Sequence, residues 1–317
     1  MERSWRGLAC TRVPCFPLYE AGAPVGHNEC VGALDALLAE SIDFAGLFPP
    51  ARLDLATAME EFHRHRRHPQ AGWLARFVIP LDRLDEALAL SVARPGPWRF
   101  TVLAPASVPL DEAAAKLRRL EEASPDARLD SVELEPGQSP EMAGMAREAF
   151  GAERRIFLEI DWRREVEGMM EPARRAGCGV KLRTGGLKPE AVPPVPAVAR
   201  LLMAAAHSDV AVKFTAGLHV PVPNDNAEVG ARMHGFLNVF TAAMLSFTGR
   251  ASQAELEELL SCAGYADFAF SEDALLARGF RIALDEIRRL RRTRVLSFGS
   301  CSFLEPVAHL RENGLLA

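Results

Sequence analysis

RIFLEIDWRREVEGMMEPARRAGCGVKLRTGG, residues 155–186, is the stretch whose reading decides the fold. It opens on a β-prone run, Ile156–Trp162, and closes on another, Val180–Thr184, with REVEGMMEPARRAG between them. The middle segment carries apolar residues at helical spacing and ends on a Gly, so the unit reads as strand, helix, strand. Two strands joined by a helix run parallel, because a tight hairpin cannot return the chain in the same direction.

The same grammar extends in both directions. Upstream, the β-prone runs are Ile42–Leu47, Leu74–Pro80, Arg99–Ala104 and Leu129–Glu135; downstream they are Val210–Gly217 and Val295–Ser302. Ala-, Leu-, Arg- and Glu-rich segments of helical period separate them. Eight strands alternating with helices predict one α/β domain, a (β/α)8 TIM barrel spanning residues 35–317. Residues 1–34, rich in Pro, Gly and Cys and without a clear period, are expected to form an N-terminal arm. Residues 219–294 make a long connection before the last strand, with helices expected at Ala231–Phe247, near Gln253–Cys262 and near Ile282–Arg292. The run Asp267–Phe270 is ambiguous and suits a short extra strand.

A buried parallel strand normally reads as a continuous apolar run, and several here do not. Side chains alternate between the two faces of a strand, so placing Val132 and Leu134 under the helices sends Glu133 and Glu135 inward. The same parity turns Glu159, Asp161, Lys181, Arg183, Lys213, Thr215, Ser297, Gly299 and Cys301 inward. Ile156, Leu158, Ile160, Val180, Leu182, Val212, Phe214, Leu296 and Phe298 then pack beneath the helices. Charges inside a barrel persist when they are fully paired or when a ligand uses them.

The basic residues sharpen this. Of 37 in total, 33 are Arg and four are Lys: Lys116, Lys181, Lys188 and Lys213. Arg serves wherever a permanent positive charge is needed, but only Lys can become an amine nucleophile. Lys181 and Lys213 fall on consecutive strands with the same parity. An amine forms a Schiff base with a carbonyl only when unprotonated, and a second ammonium nearby is one way of lowering its pKa.

The Lys181-Leu182-Arg183-Thr184-Gly185 stretch resembles the Lys-x-x-Thr-Gly strand end of the class I deoxyribose-phosphate aldolases. VAVKFTAGLH, residues 210–219, is similar to that family's next strand, and SFGSCSF, residues 297–303, to its closing turn. The resemblance implies that Lys181 is the Schiff-base lysine and Lys213 the partner that lowers its pKa. It also implies that Gly185, Gly186, Gly217, Gly299 and Ser300 line a phosphate site. Arg183 stands where the family has a small residue. The expected function is therefore a carbon–carbon lyase acting on a small anionic, phosphorylated carbonyl compound, without a cofactor. Lys181, Lys213, Glu159 and Asp161 would be catalytic. Arg183, Thr184, Gly185, Gly186, Gly217, His219, Gly299 and Ser300 would bind substrate. Two alternatives stand beside it: a metal-dependent enolising barrel using Glu133, Glu135, Glu159 and Asp161, and a non-catalytic anion-binding barrel.

Other features are read more plainly. His219, His234, Asp225 and Asn238 match no metal-ligand spacing, and ordinary polar contacts are expected of them. His63, His65 and His68, and the ERR and RRLRR groups, read as solvated helix faces. Cys301 reads as a packing residue, since no His lies beside it in sequence. A net charge of −5 argues against a nucleic-acid partner. No signal-like or membrane-spanning apolar run is present, and six scattered Cys without a CxxC pair fit a reducing cytoplasm. Self-association into a homo-oligomer is left open.

Overall fold

The structure, a computed structural model, describes residues 32–316 apart from positions 95, 137, 138 and 165. Eight parallel strands close into a barrel in sequence order. They are Ile42–Phe44, Leu74–Pro80, Trp98–Ala104, Ala127–Leu134, Arg155–Ile160, Gly179–Arg183, Val212–Thr215 and Val295–Ser300. The first strand pairs with both the second and the eighth, so no edge is left exposed. The expected α/β TIM barrel is the fold. The expected arm at 1–34 lies outside the described residues except at its end, where the helix Ala33–Leu38 begins.

Helices cover the barrel because their apolar stripes and the outward strand residues bury each other. In Leu110–Ala123 the inward stripe is Ala113, Ala114 and Leu117; in Val195–His207 it is Val198, Ala199, Leu201, Leu202 and Ala205. Ile156, Leu158, Val180, Leu182, Val212, Phe214 and Phe298 are buried in this layer as their parity requires. Leu296 is the exception. A register irregularity between Val295 and Phe298 inserts an extra residue against the seventh strand. Leu296 consequently joins Phe157 and Ala211 in a small cluster separate from the main core. Phe157 and Ala211 lie two residues before Glu159 and Lys213, on the inward face, so the three residues floor the barrel interior.

The long connection departs from expectation in its first third. Asn224–Asn226 and Ala231–Met233 pair as an antiparallel hairpin, and the helix starts only at Phe236. The cause is local: Gly230, with φ +71, turns the chain back between the two hairpin strands, and Gly235 lies against the backbone of Pro221 and Val222. A methyl group at Gly235 would overlap that backbone, so Gly235→Ala is expected to lower stability by about 2 kcal/mol, read as a shifted urea midpoint. Phe268–Phe270 is a strand, and it pairs with Ala274–Ala277, which pairs in turn with Phe280–Ala283. The helix before the last strand runs Leu284–Thr293, and a further helix, Leu304–Glu312, follows that strand.

Three groups read as solvated faces are in fact partly buried. His65 packs between the rings of Phe44 and Phe303, and burial pushes its pKa down to about 4. Arg154 donates to Phe150 O, and Arg291 donates to Ala39 O and to the carbonyls of Val295 and Leu296. Arg154 and Arg291 thus satisfy backbone carbonyls at the ends of the helices Met142–Phe150 and Ala33–Leu38 and, for Arg291, at the start of the eighth strand. Among the described residues no helix is long and apolar enough to cross a membrane.

Candidate active site

The sixth and seventh strands pair in a register that sets Lys181 opposite Lys213, and the fifth and sixth set Glu159 opposite Lys181. All three side chains point inward, as does Glu133 from the fourth strand. Their heads form an arc of alternating charge. Lys181 Nζ lies 2.6 Å from Glu159 Oε2 and 2.7 Å from Glu133 Oε2. Lys213 Nζ lies 2.5 Å from Glu133 Oε1 and also contacts Asp43. Ser297 donates to Asp43 Oδ2 at 2.8 Å, and Arg76 Nη1 stands 3.6 Å from Asp43 Oδ1. At the other end Arg183 Nε reaches Glu159 Oε1 at 3.3 Å.

Asp43, Glu133, Glu159, Lys181 and Lys213 are each under 9% exposed, whereas half of the Arg183 side chain is open to solvent. The arc therefore starts at the mouth and runs down to the far wall. Lys213 Nζ also stands 5.5 Å from the centre of the Phe157 ring, so the cationic end rests on the apolar floor.

Because both ammonium groups bind one carboxylate, their nitrogens are no more than roughly 7 Å apart. The intervening carboxylate, however, reverses the expected electrostatics. Burial works against the Lys181 ammonium, but Glu133 and Glu159 outweigh it and hold the pKa above the ordinary lysine value. Burial likewise opposes the Glu133 carboxylate, and the two lysines overcome it, bringing its pKa down to about 2. The idea that Lys213 simply lowers the Lys181 amine is thus corrected: opposite charges at 2.6–2.7 Å act more strongly than a like charge behind one of them.

Asp161 lies outside the arc, beyond the end of the fifth strand, with Arg163 Nη1 at 3.5 Å and Arg164 Nε at 3.7 Å. Glu135, also past its strand, accepts from Ala106 N at 3.0 Å. The four acidic residues of the enolising alternative are therefore divided, two within the lysine arc and two on the rim.

The rim turns are tightly built. Thr184 Oγ1 donates to Ala216 O at 2.6 Å, tying the sixth strand end to the seventh. Ala216 and Gly217 both adopt left-handed conformations, which ends the seventh strand. Gly185 and Gly217 face each other under the methyl of Met233, Gly186 abuts Ala191, and Gly299 abuts Thr215. A side chain at Gly185 or Gly217 would meet the Met233 methyl and the facing glycine, one at Gly186 the Ala191 side chain, and one at Gly299 the Thr215 hydroxyl. At the same rim Ser300 Oγ donates to Ser302 O at 2.6 Å and lies 3.2 Å from His219 Nδ1. The other Nδ1 neighbour is Glu305 Oε2 at 3.0 Å, and Nε2 is 3.9 Å from Cys301 Sγ.

His234, Asn238 and Asp225 have separate partners: Pro193 O, the carbonyls of Leu259 and Cys262, and Arg232. Sequence reasoning missed Asp43, Ser297 and Glu305 as site residues. Asp43 between Ile42 and Phe44 carried the same alternation that exposed Glu133, over a run too short to weigh.

No protein-family model and no curated protein matches the chain.

Proposed function

We propose that the barrel interior performs Schiff-base carbon–carbon lyase chemistry on a small anionic carbonyl compound, with Lys181 as the imine-forming residue. The observation that carries this reading is the pairing of Lys181 with Lys213 across adjacent strands, both bound to Glu133. A protonated lysine needs an acceptor before it can attack, and Glu133 and Glu159 both lie within hydrogen-bond reach of its nitrogen. Glu159 is the better acceptor, because its second cation, Arg183, is half-exposed and 3.3 Å away, whereas Glu133 holds two buried ammonium groups at 2.5 and 2.7 Å.

In this reading the Lys181 proton passes to Glu159 and the free amine adds to the substrate carbonyl carbon. The carbonyl oxygen takes up protons and leaves as water, giving an iminium. The electron pair of the bond between the α and β carbons flows into the iminium to give an enamine, while the β-hydroxyl gives its proton to a carboxylate of the arc and its fragment leaves as an aldehyde; protonation of the enamine at carbon and hydrolysis by water then free Lys181. Lys213 acts as a positioning residue that holds Glu133 against Lys181. Arg183, half-exposed at the mouth and beside Glu159, suits the anionic end of the substrate.

Incubating the protein with glyceraldehyde and sodium borohydride tests this. The expected result is irreversible labelling at Lys181, mapped by peptide mass and absent in Lys181→Arg. Turnover that is sensitive to EDTA and leaves no label would favour the enolising alternative. Tight phosphate-ester binding unaffected by Lys181→Met, with no turnover of any aldehyde, would favour an anion-binding barrel.

A further inference from the structure

The cluster at the mouth between the seventh and eighth strands is chemically distinct from the lysine arc. Cys301 follows the eighth strand, His219 follows the seventh, and Glu305 sits in the first turn of the Leu304–Glu312 helix. The imidazole is placed between the other two groups, Nε2 toward the thiol at 3.9 Å and Nδ1 toward the carboxylate at 3.0 Å. A thiol is a weak nucleophile until a base takes its proton, and the base is most effective when a third group fixes its ring. All three roles are filled here.

We propose that Cys301, His219 and Glu305 form a nucleophilic thiol centre that captures a small aldehyde reversibly at the barrel mouth. The proposal stands on these three residues and does not depend on imine formation at Lys181. With the proton of the Cys301–His219 pair on the imidazole, the sulfur adds to the carbonyl carbon. The carbonyl π pair moves onto oxygen, which recovers the proton from the imidazolium, giving a hemithioacetal. Nothing leaves and nothing is oxidised, so the step needs no co-reactant. Of the carbonyl classes without a leaving group, aldehydes are more electrophilic and less hindered than ketones, which makes them the fitting partner for this addition.

The surroundings favour the charged ring. Burial opposes the imidazolium, but hydrogen bonds to Cys301 and Glu305 outweigh it and raise the His219 pKa to about 9. His309, on the same helix, acts on Glu305, and His65 and His68 pack against the Phe303 ring between Ser302 and that helix. Cys178 and Cys262 make natural internal comparators, since burial raises both thiols to about 11.

Iodoacetamide labelling of the full chain, resolved by peptide mass, provides the test. At pH 6.5 Cys301 is expected to react at least tenfold faster than Cys178 and Cys262. His219→Gln should slow Cys301 about tenfold, with a smaller loss for Glu305→Gln. Acetaldehyde without reductant should slow Cys301 labelling in both the wild type and Lys181→Arg, which cannot form an imine. Cys301 reacting no faster than the comparators, or indifferent to His219→Gln, would overturn the thiol centre. Labelling unaffected by acetaldehyde would overturn the aldehyde assignment, and neither outcome bears on borohydride trapping at Lys181.

Discussion

Glu133→Gln is expected to cost about 3–5 kcal/mol of stability, the range for removing one partner from a buried ion pair. Glu133 is 3% exposed and accepts from both Lys181 and Lys213, one on each oxygen. An amide at this position keeps the shape but offers a single acceptor oxygen, and its NH2 would face an ammonium. The remaining charges redistribute imperfectly: Lys181 retains Glu159 and Lys213 retains Asp43, but the bridge between the two pairs is gone. In a thermal melt the loss corresponds to roughly 4–8 °C for a chain of this size. An unfolding free energy from urea titration within 0.5 kcal/mol of wild type would show that the arc is not a cooperative network.

Stability is also expected to peak near neutral pH, with a stepped loss on the acid side. His65, lowered to about 4, favours the fold above its ordinary value of 6.5 and loses that contribution as pH falls through 4. Glu133, lowered to about 2, contributes fully above about 4.5 and loses about 3 kcal/mol as pH falls toward 2. On the alkaline side both relevant pKa values are raised. His219 contributes fully below 6.5 and loses its share as pH rises through about 9. Lys181 holds its contribution up to about pH 10.4 and loses it as pH climbs through its higher folded value. Urea unfolding across pH 2–11 measures the profile. His65→Phe should flatten the limb between pH 6.5 and 4 while leaving the loss below pH 4 in place; a profile unchanged by His65→Phe would contradict the assignment.

The barrel and the inward parity of its charges were legible because both are local. Period-2 alternation in LEID and VKLR, with helical segments on each side, fixes which face Glu159 and Lys181 occupy before any long-range contact is known. What the residues touch was not legible. Asp43 meets Lys213 across 170 positions of sequence, and only closure of the first strand on the eighth brings them together. Glu133 lies between the lysines because the fourth, sixth and seventh strands tilt around a common interior, a geometry that sequence spacing does not express. Cys301 looked isolated because its partner His219 lies 82 positions away. The hairpin at 224–233 was hidden for a different reason: ARMHGFLNVF carries a helical composition throughout, and Gly230 and Gly235 set the boundary through backbone conformation and contact.

The floor of Phe157, Ala211 and Leu296 gives the interior the topology of a cup. Substrate and both products of a cleavage would share one doorway, so traffic through it is ordered. Under the proposed lyase chemistry the fragment without a covalent link would depart first, and the one bound to Lys181 would wait for water to follow it in. In the reverse direction the same constraint would make the imine-forming partner the first to enter. A vessel open at one end thus imposes a sequence of arrivals and departures that no single side chain encodes.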